Sequence, residues 1–261
     1  MHANESPIGV FDSGIGGLSI LRALQQALPA ERFVYYADSG NAPYGERGEA
    51  FVAQRSMAVT RELIAAHGAK LVVVACNTAT AAAIASLRDA WPTVPMVGVE
   101  PALKPAALAS RTSRVAVFAT RGTLASARLA VLRSALPAST DVVLQACDGL
   151  AAAIEAGDDE GVEALCEAYL RAAGAFGAEP GQIDTLVLGC THYTFALPAL
   201  RRRLGPEVRI IDTGEPVARQ TQRVLSERGL LREAGGQDAA LVLAGTGSAP
   251  ELRQAAQRWL A

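Results

Sequence analysis

Residues 71–80 read LVVVACNTAT, and residues 185–194 read TLVLGCTHYT. In each, an apolar run ends on a cysteine, Cys76 or Cys190. Polar groups follow at once: Asn77 and Thr78 in the first, Thr191 and His192 in the second. A free cysteine is often only a small buried hydrophobe, and either one alone could be that. As a pair in the same setting they point to proton-transfer or nucleophilic chemistry, because a helix N-terminus favours the reactive thiolate. His192, two residues beyond Cys190, is spaced to act as a proton partner. A Cys–His metal site would need more ligands than the sequence supplies, so no metal is expected. Cys147 and Cys166 lack this setting and read as packing residues; Cys166 falls inside the helical pattern EGVEALCEAYLRAAG.

Two more motifs follow apolar runs. Asp12-Ser13-Gly14 opens DSGIGG, which resembles a dinucleotide-binding turn, but Ser19 occupies the third glycine position. Asp12 would also set a negative charge where a pyrophosphate approaches. A small ligand fits better, with an ammonium for Asp12 and a carboxylate for the N–H groups at the helix start. NAPYG, residues 41–45, is a turn by composition and needs no ligand to explain it. Its place after a strand still puts Tyr44 and Gly45 on the ligand face, with Asp38 just before them.

The elements that must position these residues alternate. Strand-like runs at 8–11, 32–38, 71–76 and 95–100 are separated by helical patterns at 16–28, 49–68 and 78–91. This alternation predicts an α/β fold with mainly parallel sheets, and in such sheets ligands sit beyond the carboxyl ends of the strands. The pattern then restarts. RVAVFATRGTLASARLAVLRSAL parallels PIGVFDSGIGGLSILRALQQAL, with Val117-Phe118 matching Val10-Phe11 and Thr120 matching Ser13. Each half then reaches its own cysteine. Two similar α/β domains are expected: residues 1–100 with 212–261, and residues 101–211.

Composition narrows the function. The 261 residues carry a formal net charge of −2, so no basic footprint favours nucleic acid or an anionic membrane. The triplet Arg201, Arg202 and Arg203 reads as the solvated end of a helix. No CxxC pair occurs among the four cysteines, and no apolar run reaches membrane-spanning length. The first residues lack the basic and apolar regions of a signal peptide, so a soluble cytoplasmic protein is expected. Only two lysines occur, Lys70 and Lys104, which leaves little for a Schiff-base cofactor.

Taken together, GVFDSGIGGLSIL (9–21), YYADSGNAPYG (35–45), VVACNTAT (73–80), LGCTHY (188–193) and IIDTGEP (210–216) resemble the glutamate racemases, cofactor-independent members of the aspartate/glutamate racemase superfamily. The resemblance implies that Cys76 and Cys190 are the catalytic thiols, assisted by Asp12 and His192. It implies that Asp12, Ser13, Tyr44, Gly45, Asn77, Thr78, Thr191 and His192 bind substrate. Glu155 matches a glutamate near the site, in a segment that departs from the commoner proline-rich form. Asp38 and Thr120 would support the site from behind. The implied fold is two α/β domains, pseudo-twofold related, with the active site in the cleft between them.

By the same resemblance the substrate is glutamate, no cofactor takes part, the protein is a homodimer, and D-glutamate goes into peptidoglycan. Inversion needs a base on one face of Cα and an acid on the other, and two thiols can exchange those roles. Other readings stay open: a related racemase acting on aspartate or a hydantoin, or an amino-acid-binding protein without catalysis.

Overall fold

The computed structural model describes residues 3–233 and 240–260. The chain divides into two compact units, Met1–Val99 with Gly214–Ala261, and Glu100–Thr213. Each is an α/β layer structure built on a wholly parallel sheet.

In the first unit, β1 (Ile8–Asp12), β2 (Phe33–Ala37), β3 (Leu71–Val74) and β4 (Met96–Gly98) come from the expected runs. The second unit supplies β5 (Arg114–Ala119), β6 (Asp141–Ala146), β7 (Thr185–Leu188) and β8 (Arg209–Ile211). A final strand, β9 (Leu241–Gly245), belongs to the first unit. The sheet orders are β4-β3-β1-β2-β9 and β6-β5-β7-β8. Strands β1, β3 and β7 are buried along their full length, as parallel strands covered by helices on both faces should be.

The two orders are the same design. β1 corresponds to β5, β2 to β6, β3 to β7 and β4 to β8; β9 has no counterpart among the described residues. Backbone hydrogen bonds fix the register of the match. Asp38 N donates to Asp12 O at 3.0 Å and Ala75 N to Phe11 O at 2.7 Å. Their equivalents are Cys147 N to Ala119 O at 3.0 Å and Gly189 N to Phe118 O at 2.7 Å. Ser13 therefore pairs with Thr120, and Cys76 with Cys190. Asp12 faces Ala119 in the comparison, and Asp38 faces Cys147, so the charged groups of the first unit are not repeated.

The helix predicted after β5 is broken. Thr120 accepts from Thr123 N at 3.2 Å and caps Arg121–Leu124; Ser126 accepts from Leu129 N at 3.2 Å and caps Ala127–Ser134. Two hydroxyl caps in quick succession start two short helices where one was expected. The arginine triplet forms the exposed last turn of Leu197–Arg203, as its composition suggested. Among the described residues no helix is long and apolar enough to cross a membrane.

Candidate functional site

Within each unit, the chain leaves the first strand to one side and returns on the other. The crevice at that reversal, beyond the carboxyl ends, is where open α/β sheets bind ligands. In the first unit it lies between β1 and β3, and in the second between β5 and β7. Cys76 and Cys190 stand at these two reversals.

Cys76 is the N-cap of the helix Asn77–Ala90, and its sulfur accepts from Ala79 N at 3.5 Å. An N–H directed at sulfur from a helix start favours the thiolate form. The alanine-rich sequence behind it supports a regular helix from the first turn. Thr80 holds that turn to the sheet: its hydroxyl donates to Val74 O and accepts from Val99 N, each at 3.1 Å. Asn77 is buried, and neither atom of its amide has a hydrogen-bond partner among the described residues. A buried amide without partners costs free energy, which makes Asn77 a candidate ligand-facing group. Thr78 and Ser13 are buried nearby in sequence and topology.

Asp12 is fully buried and its Oδ2 accepts from Gly17 N at 2.8 Å. The carboxylate thus folds the DSGIGG turn around itself. It occupies an N–H that a pyrophosphate would use, which counts against the dinucleotide reading. Tyr35 Oη donates to Gly14 O at 2.6 Å and braces the same turn. Gly17 leaves no space for a side chain, since a Cβ would lie 2.7 Å from that of Asp12 and 2.9 Å from Tyr35 Oη.

The second thiol is supported differently. Cys190 precedes a 3-10 turn, Thr191–Ala196, and its sulfur makes no capping bond. Its neighbour is His192, whose Nδ1 lies 3.8 Å from Sγ. His192 Nε2 lies 2.6 Å from Glu155 Oε1, and His192 is buried. With Glu155 accepting from Nε2–H, Nδ1 faces the thiol as a proton acceptor. Thr191 is buried beside them in sequence, while the Thr120 hydroxyl serves its helix cap.

The other second-unit thiols are shielded. Burial pushes the Cys147 thiol far up, with Cys190 and Cys166 adding to the effect. Burial pushes Cys166 up to about 11. Both stay neutral near pH 7, in keeping with packing roles. All four cysteines are free thiols.

Tyr44 is not an open hydroxyl. It is buried, and its Oη donates to Asp38 Oδ2 at 2.5 Å. Arg55 grips the same carboxylate through Nε and Nη2, both at 2.9 Å, and Asn41 Nδ2 and Thr246 Oγ1 donate to Oδ1 at 3.0 and 2.7 Å. Burial pushes the Asp38 carboxyl up, but the hydrogen bonds from Arg55, Tyr44, Thr246 and Asn41 outweigh it and hold Asp38 below the usual carboxylate range. What the 41–45 turn can offer a ligand is its backbone around Tyr44 and Gly45. Sequence reasoning missed Arg55 and Thr246. The apolar run LVLAG before Thr246 was the available signal for β9.

Neither lysine is placed for a Schiff base. Lys70 lies before β3, at the end opposite Cys76, and its Nζ donates to Glu31 Oε2 at 2.6 Å and Asn4 O at 2.7 Å. Removing one partner of such a buried pair typically costs about 3–5 kcal/mol, so Lys70 is a structural residue. Lys104 is exposed on the helix Leu103–Ala109. Among the described residues no three His, Cys, Asp or Glu side chains gather as a metal site would require.

Residues 8–221 match the family described as Asp/Glu/Hydantoin racemase. The chain belongs to that family. The glutamate racemase of Ectopseudomonas mendocina (strain ymp) is 47% identical over 233 residues, covering 88% of this chain and 86% of that protein. The crystal structure of glutamate racemase from Francisella tularensis in complex with D-glutamate aligns with a TM-score of 0.82 at 27% identity, over 98% of this chain and 94% of that one. The Escherichia coli enzyme, in complex with L-glutamate and the activator UDP-MurNAc-ala, aligns with a TM-score of 0.81 at 32% identity, over 97% and 95%. The racemase match ends before β9, so Thr246 lies outside it.

Proposed function

We propose that the chain interconverts L- and D-glutamate by proton transfer at Cα, with Cys76 and Cys190 as the two acid–base groups. The observation that carries this reading is the equivalence of the two thiols. Each follows the third strand of its unit, at the reversal of strand order, in the same backbone register. One thiolate removes the Cα proton from one face and becomes a thiol. The other thiol returns a proton to the opposite face and becomes a thiolate. The product is the enantiomer, and the thiols have exchanged protonation states, ready for the reverse turnover.

The Cα–H bond is only weakly acidic, so the developing carbanion and the substrate carboxylates need donors fixed in advance. Asn77 brings an unmatched buried amide. Ser13, Thr78 and Thr191 bring hydroxyls and backbone N–H groups, and the Tyr44–Gly45 backbone adds to these. Asp12 supplies the negative charge for the substrate ammonium and assists Cys76; His192, backed by Glu155, assists Cys190. No cofactor is assigned a step.

Glutamate is preferred over aspartate or a hydantoin because the relatives at about half identity are glutamate racemases. The resemblance also implies a homodimer, a cytoplasmic location and delivery of D-glutamate to peptidoglycan synthesis, and these belong to the proposal. The test is incubation of L-glutamate, L-aspartate and a hydantoin separately in deuterated water. Deuterium at Cα with loss of optical rotation is expected for glutamate alone. Exchange confined to another substrate, or binding without exchange, would overturn the reading.

A further inference from the structure

Three segments of the first unit meet at Asp38. The carboxylate receives Tyr44 and Asn41 from the turn after β2, Arg55 from the helix Glu49–Ala65, and Thr246 from the turn after β9. Thr246 does more than donate. Its hydroxyl also accepts from Gly40 N at 3.1 Å, so one oxygen ties the Asp38 side chain to the backbone that follows it. Thr246 N donates in turn to Ala37 O at 3.1 Å.

The two turns are packed backbone to backbone. A Cβ on Gly245 would lie 2.1 Å from Ala37 O, and one on Gly40 would lie 2.8 Å from Thr246 O. A Cβ on Gly247 would lie 2.7 Å from that of Ser39. Glycine at these places is a condition of the contact. Thr246 itself is exposed, yet its hydroxyl points inward to a fully buried carboxylate. An exposed threonine has solvent for a partner, so the inward hydroxyl and the three glycines together mark a built contact.

We propose that Thr246 is a positioning residue for the racemase site. Acting through Asp38, it sets the place of the Tyr44–Gly45 backbone that receives the substrate. A strand outside the family match thereby becomes part of the substrate-binding apparatus. The proposal rests on the reading that this backbone contacts glutamate. The Thr246 hydroxyl is engaged with Asp38 and Gly40 rather than with a thiol, so its loss is expected to change how well substrate is held more than how fast protons move.

The test compares Thr246→Val, which keeps the shape and removes the hydroxyl, with Thr246→Ser, which keeps the hydroxyl. Both are made in the full chain, in the wild-type and Asp38→Ala backgrounds, and KM and kcat are measured for each glutamate enantiomer. Thr246→Val is expected to raise KM about threefold to tenfold, the worth of one hydrogen bond, with a smaller change in kcat. Thr246→Ser is expected to restore the wild-type KM. In the Asp38→Ala background, which removes the acceptor of the Thr246 hydroxyl, Thr246→Val is expected to add nothing, because its route is already cut. Equal KM values for the Val and Ser variants, or an undiminished effect without Asp38, would overturn the proposal. Should Asp38→Ala not fold, the Val and Ser pair alone decides. Absence of Cα exchange in the wild type would overturn the functional reading and this proposal with it; normal wild-type exchange with equal KM values would overturn the proposal alone.

Discussion

Cys76 and Cys190 occupy the same point of the same topology, but the protein surrounds them differently. Cys76 caps a regular helix and receives a backbone N–H at sulfur. Its charged companion, Asp12, comes from the neighbouring strand and is bound into a glycine turn. Cys190 receives no such N–H; a side-chain chain of His192 and Glu155 stands next to it. The cause is visible in the sequence. Pro198 cannot donate the backbone N–H that would continue an α-helix from Thr191, so a 3-10 turn comes first and the helix begins at Leu197. In the first unit the alanine-rich stretch has no such break. Equivalent backbones can therefore surround equivalent thiols with unrelated partners, a peptide N–H in one unit and an imidazole in the other.

Four substitutions probe that contrast, from the strongest effect to the mildest. Replacing either thiol, as Cys76→Ser or Cys190→Ser, is expected to abolish racemisation, because each direction needs both groups and a serine hydroxyl is far less acidic. Wild-type-like optical inversion by either variant would remove that thiol from the mechanism. Asp12→Asn is nearly isosteric and its amide oxygen can still accept from Gly17 N, so folding should survive. Turnover is expected to fall about a hundredfold, within the range of an acid–base assistant; unchanged turnover in a folded variant would remove Asp12 from the chemistry.

His192→Asn should act on one proton transfer only. The enantiomers have equal free energy, so kcat/KM must remain equal in the two directions, and the asymmetry must be sought in isotope effects. With Cys190 working on L-glutamate, the variant should show a larger isotope effect with Cα-deuterated L-glutamate and a smaller one with the D-isomer. Equal changes in both would mean that His192 does not serve Cys190 in particular.

Much of the architecture was legible beforehand. Runs such as LVVV and RVAVFA have the β-branched, fully apolar character of buried parallel strands, and they form β3 and β5. The match of Val10-Phe11 to Val117-Phe118 is the register that the backbone hydrogen bonds display. What stayed hidden depends on distant pairing. β9 joins β2 across more than two hundred residues of sequence, and nothing local in LVLAG names its neighbour. The sequence put Tyr44 on the ligand face without assigning its hydroxyl a partner, because composition cannot show a buried carboxylate six residues away in sequence, gripped from three sides. The proximity of Glu155 to His192 rested on resemblance, since helix and turn meet only in the folded unit.

The central claim is one thiol for each face of Cα, and a substrate analogue with a leaving group at Cβ tests it most directly. After deprotonation such a compound eliminates that group and needs no proton returned, so a single thiol suffices. The measurement is the elimination rate of each enantiomer with Cys76→Ser and with Cys190→Ser. The account predicts that Cys76→Ser still processes the L-analogue through Cys190, and that Cys190→Ser still processes the D-analogue through Cys76. If both variants process the same enantiomer, the two thiols do not divide the faces between them, and the mechanism is wrong.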